Sequence, residues 1–87
     1  MTVKDKTRDR MQDTLDLKAV GRRIRESRGF DVTQEKFAQR LGISQSQLSK
    51  YERGLIPPAA DVLLKLNQKL GVSVDWLLTG SSSKRNA

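Results

Sequence analysis

Cysteine and histidine are both absent from this sequence. Without them there is no thiol nucleophile, disulfide, imidazole base or usual zinc ligand, which argues against an enzyme and against a bound metal or cofactor. Long apolar runs are missing as well. No window approaches the roughly 18 apolar residues of a membrane span, and the opening "MTVKDKTRDRMQD" lacks the apolar core of about seven residues that a signal peptide needs, so a cytoplasmic location is expected. Aromatics are few, with two Phe, one Tyr and one Trp, and they offer no stacking platform for RNA. Neither an alternating strand pattern nor an internal repeat is present. Acid is scarce too: 10 Asp and Glu stand against 17 Lys and Arg, for a net charge of +7. That excess favours a polyanionic partner.

What is present is helical and closely spaced. At 87 residues the chain has room for one domain with a single modest core, burying roughly 60–65% of its unfolded surface. Residues 1–14 alternate bases and acids with only Val3 and Met11 as sizeable apolar side chains. They are expected to form a frayed or partly helical arm, with contact to DNA as the functional alternative. Residues 80–87, "GSSSKRNA", have the composition of a polar linker or the stub of something longer. The domain lies between them, over 15–79.

Leu17, Val20 and Ile24 share one face of a first helix that stops near Gly29. Thr33 caps a second, with Val32 stapled to Phe37; Phe37, Ala38 and Leu41 face inward and Gly42 ends it. Ser44 starts a third with a capping box to Gln47 and a staple from Ile43 to Leu48, and Gly54 ends that one. Pro57 and Pro58 block continuation, and Pro58 suits the first position of a fourth helix with the stripe Val62, Leu63, Leu66 and Leu70. Ser73 begins a short fifth, with Val72 stapled to Leu77. The fold class is therefore all-α, with five helices.

A connection of about three residues around Gly42 joins the second and third helices, which is the helix-turn-helix arrangement. Seven of the nine residues from Ser44 to Glu52 are polar. On a helical wheel Leu48 and Tyr51 mark the buried side, Ser46, Ser49, Lys50 and Arg53 point away, and Gln45 sits at the edge. Gln, Ser and Lys are side chains that pair with adenine, with any base and with guanine in the major groove, although a merely solvated face has the same composition.

The stretch "TQEKFAQRLGISQSQLSKYERG" and the later "LGVSVDWLLTG" resemble the phage repressor and Cro family of helix-turn-helix regulators, over Leu17 to Leu78. The resemblance implies a five-helix, lambda-repressor-like domain that binds double-stranded operator DNA as a homodimer, with the helix after Ser44 as the reader. It also implies roles by position. Gln45, Ser46 and Lys50 would face bases, with Ser49 grouped beside them from its outward place on the wheel, and Gln34 would reach toward phosphate and toward Gln45. Lys36, Arg40, Ser44 and Arg53 would meet the DNA backbone. The connection from Arg28 to Gln34 is one residue shorter than the commonest family spacing, and Asn67 stands where the family usually has a small apolar residue. A repressor of phage or prophage type is the leading expectation; an antitoxin or restriction-control protein of the same fold is the alternative. A membrane-surface role is disfavoured, because Lys18, Arg22 and Arg25 lie opposite an apolar face that the core already needs.

Two further expectations concern packing. Arg28 falls at the centre of the apolar face of the first helix and Glu52 on the inward side of the third, so the two should pair. Trp76 and Leu64 lack an obvious core role, and Trp76 is expected to contribute to a two-fold dimer contact.

Overall fold

The computed structural model describes residues 14–81 and 83–85. Apart from Thr14, the N-terminal arm lies outside them. Five helices follow one another: α1 Leu17–Arg28, α2 Gln34–Leu41, α3 Gln45–Glu52, α4 Ala60–Leu70 and α5 Val74–Thr79. Among the described residues there is no strand, only an isolated bridge between Val72 and Arg85. None of these helices is long and apolar enough to cross a membrane.

Side-chain caps set most of the starts. Asp16, Thr33, Ser44 and Ser73 each accept a backbone N–H three residues on, from Ala19, Lys36, Gln47 and Trp76, at 3.0–3.2 Å. Each satisfies one of the donors that a helix N-terminus leaves free. The fourth helix differs from expectation: Pro58 lies outside it, and Ala59 is its extended N-cap with no side-chain cap. A contact from the preceding helix marks this boundary. Ala59 donates its backbone N–H to the Tyr51 hydroxyl at 3.4 Å, and the Pro57–Pro58 pair keeps the chain extended up to that point.

The inward faces meet in one core in which Ile24, Leu48, Leu66 and Leu77 are fully buried and Val20, Phe37, Leu41 and Val62 nearly so. At about 1.5–3 kcal/mol for each large apolar side chain, this cluster is the main favourable term holding the helices together. Val32 and Ile43, the expected staple residues, pack against it, as do Leu63 and Leu70. Cations from neighbouring helices finish two helix ends. Lys65 and Lys69 of α4 donate to the Leu41 and Arg40 carbonyls at 3.1 and 2.9 Å, and Arg23 of α1 donates to the Leu77 carbonyl at 3.1 Å. Positive charge there matches the negative end of each helix dipole. Asn67 puts its polar end to use by donating to the Val72 carbonyl at 3.1 Å.

Lys84 and Arg85 lie back on this frame. Ser73 donates its N–H to the Lys84 carbonyl at 2.8 Å, and Arg85 donates to the Leu70 carbonyl at 3.2 Å. Lys84 is 3.5 Å from Glu26 and its ammonium sits 5.6 Å from the centre of the Trp76 ring. Trp76 therefore has a packing role that its place on the helical wheel did not suggest: half-buried, it lies against the core and carries a cation on its face. Leu64 remains exposed on the outer side of α4.

Candidate nucleic-acid interface

Two helices and a tight turn build the candidate surface. Gly42 ends α2 with φ 72° and ψ 29°, a left-handed conformation that lets the chain reverse within one residue. The N–H groups of Gly42 and Ile43 then close back on the Gln39 and Ala38 carbonyls at 3.1 and 3.0 Å. Ile43 is thereby carried to the core and Ser44 to the cap of α3. Leu48 and Tyr51 anchor α3 from below, leaving Gln45, Ser46, Lys50 and Arg53 exposed and Ser49 half-buried.

The capping box of α3 is only half formed. Ser44 caps the Gln47 N–H at 3.0 Å, but the Gln47 side chain reaches forward to the Tyr51 hydroxyl at 2.7 Å instead of back to Ser44. Tyr51 is buried, so its hydroxyl needs a partner there and takes Gln47 as one. The same hydroxyl accepts from Ala59, making Tyr51 the tie between the end of α3 and the start of α4.

A chain of hydrogen bonds runs from the interior to the surface of this helix pair. Arg28 meets Glu52 through two nearly parallel bonds, Nε to Oε2 at 3.0 Å and Nη2 to Oε1 at 3.1 Å, and donates a third to the Val32 carbonyl at 3.1 Å. Both side chains are largely buried, with relative exposures of 16% and 5%. Glu52 Oε1 also accepts from Gln34 Nε2 at 3.1 Å, and Gln34 Oε1 in turn accepts from Gln45 Nε2 at 3.3 Å. Gln45 thus keeps its carbonyl oxygen and one amide hydrogen for an outside partner. Those are the two groups that a bidentate contact with adenine requires.

Charge is distributed to match. Lys36 and Arg40 are exposed on α2 and Lys50 on α3, and their side chains engage none of the described residues. Arg53 is exposed but turned along its own helix, donating to the Ser49 hydroxyl at 3.2 Å. The one carboxylate of α3, Glu52, is spent inward, so the outward surface of that helix is polar and cationic with no acid.

One residue that positions this surface is not visible as a site in the sequence. A Cβ at Gly21 would stand 2.5 Å from both the Tyr51 and the Glu52 carbonyl oxygens, so only glycine lets α1 touch the end of α3. A lone glycine inside the otherwise amphipathic pattern of α1 was the available signal.

The sequence matches the helix-turn-helix family over residues 22–77, from α1 to α5. It is 40% identical over 70 residues to the HTH-type transcriptional regulator ImmR of Bacillus subtilis (strain 168), covering 78% of this chain and 55% of ImmR. It is 38% identical over 63 residues to the SPbeta prophage-derived uncharacterized HTH-type transcriptional regulator YonR of the same organism, covering 72% of this chain and 56% of YonR. The chain thus spans about half the length of these curated relatives. Among solved structures it is similar to the P22 c2 repressor protein in complex with synthetic operator 9T, with a TM-score of 0.65 and 33% identity over 71% of this chain and 96% of that one. With a family match running from α1 to α5, and a solved phage repressor of similar fold, the chain belongs to the helix-turn-helix family of phage-repressor type.

Proposed function

We propose that this protein binds double-stranded DNA at specific sequences as a homodimer and regulates transcription, acting as a repressor. The observation that carries the reading is the linked set Arg28, Glu52, Gln34 and Gln45, which holds one amide at the start of α3 while leaving its pairing groups free. A side chain fixed in this way spends little conformational entropy on contact, which favours a role in discrimination. In this reading α3 enters the major groove, Gln45, Ser46, Ser49 and Lys50 face base edges, and Gln34, Lys36, Arg40, Ser44 and Arg53 meet phosphates. The kinship with the P22 c2 repressor, a protein solved on an operator, supports it. The dimer would place two reading helices about 34 Å apart, one turn of B-DNA, with Trp76 and its neighbours contributing to the contact.

Selection of bound sequences from random duplex DNA, followed by titrations on the selected and random duplexes across a salt series, tests this. Gln45→Ala should cost on the order of 1–3 kcal/mol on the selected duplex and much less on random DNA. Arg40→Ala should weaken both to a similar extent and reduce the salt dependence by roughly one unit of slope. Equal losses from Gln45→Ala on both duplexes would reduce the face to a phosphate grip and remove the base-reading assignment.

A further inference from the structure

Beside the C-terminal turn of α1 lies an open cleft of about 770 Å³ that the DNA reading does not use, with Arg22, Arg25, Glu26, Arg28, Phe30 and Lys84 among its walls. Two of its four cations are committed: Arg28 to Glu52, and Lys84 to Glu26 at 3.5 Å. Arg22 and Arg25 engage no other side chain among the described residues. Phe30, in the connection between α1 and α2, has a relative exposure of 106%, so its ring is wholly in water.

A lone exposed aromatic is ordinary, but one standing among uncommitted guanidinium groups at a concave surface is a different arrangement. Arginine presents a rigid fork that matches a carboxylate, and arginine with aromatics supplies the anchors of many protein interfaces. We propose that this cleft docks an acidic segment of a partner protein, with carboxylates on Arg22 and Arg25 and one large apolar side chain laid against Phe30. Duplex DNA could pair with the two arginines, but its base faces are stacked inside and it exposes only thymine methyls and sugar edges, a small apolar surface for a whole ring. A second copy is a poor occupant as well, because no stretch of this basic chain is rich in acid. The site carries its own reporter. Lys84 lines the cleft and sits over the ring of Trp76, the only tryptophan in the chain, so an acid that draws Lys84 away should change the Trp76 emission.

The test uses the full chain and two synthetic peptides of about nine residues, both of aspartate and glutamate, one interrupted by two leucines and the other by two serines. The leucine peptide should bind about tenfold more tightly, the worth of roughly 1.4 kcal/mol of apolar burial, and should alter the Trp76 emission. Phe30→Ser should abolish that advantage while leaving DNA binding unchanged, and Arg25→Glu should weaken both peptides. The proposal is overturned if the two peptides bind the parent equally, or if Phe30→Ser leaves the leucine peptide unaffected. It is overturned in favour of DNA if Arg25→Glu weakens random duplex as much as it weakens peptide. It is overturned in favour of a second copy if sedimentation shows self-association that Phe30→Ser removes.

Discussion

Replacing Glu52 by alanine removes the acceptor of three hydrogen bonds, two from Arg28 and one from Gln34. Arg28 keeps only the Val32 carbonyl, and its guanidinium stays in a site where 16% of the side chain reaches solvent. Breaking a buried pair from one side costs about 3–5 kcal/mol, because the remaining charge is left without compensation. Partial access of water to Arg28 puts this case near the lower end, about 3 kcal/mol. For a domain of this size, where about 1 kcal/mol moves the midpoint by roughly 4–8 °C, the melting temperature should fall by at least about 12 °C. Urea unfolding followed by Trp76 emission measures the loss directly, provided the transition is two-state and its slope is unchanged. A cycle with Arg28→Met separates the pair from the rest: the double variant should cost about 1–3 kcal/mol less than the two single losses added together. A Glu52→Ala loss under about 1 kcal/mol, or strict additivity in the cycle, would refute the view that this pair ties the reading helix to α1.

Three other outcomes follow from the same geometry. Gly21→Ala should destabilise the fold by about 1–3 kcal/mol despite the better helix propensity of alanine, since its methyl would overlap two carbonyl oxygens of α3; thermal unfolding at or above the parent midpoint contradicts this. Ser44→Ala should cost about 1 kcal/mol through loss of the cap on the Gln47 N–H, and an unchanged urea midpoint would mean that water replaces the cap without loss. Trp76→Ala should weaken self-association in sedimentation, and a variant that dimerises as well as the parent removes Trp76 from the proposed contact.

Much of this protein is set locally, and the sequence by itself determined those parts. Thr33, Ser44 and Ser73 are caps whose partners lie three residues away, and Gly42 turns the chain within one residue. The inward stripes of α2 and α3 follow from a period of 3.6 residues. The same arithmetic put Ser46, Lys50 and Arg53 on the outside. Arg28 and Glu52 were legible as partners because each was a charge on an apolar face.

Only the tertiary structure decided the rest, wherever burial or the close approach of another element determined what a group meets. Gln47 gives its amide to Tyr51 and not to Ser44 because burial leaves the Tyr51 hydroxyl in need of a donor. The fourth helix begins after Pro58, and its extended N-cap Ala59 donates to that same hydroxyl across the connection from α3. Gly21 matters because two helices approach there to within the width of a methyl group, a distance that no residue pattern within α1 records. Trp76 acquires its cover from Lys84 only once the Lys84 carbonyl is bound by the N–H of Ser73, before α5. In each case the chain supplied the chemical group, and the burial or close approach that packing creates decided what it meets.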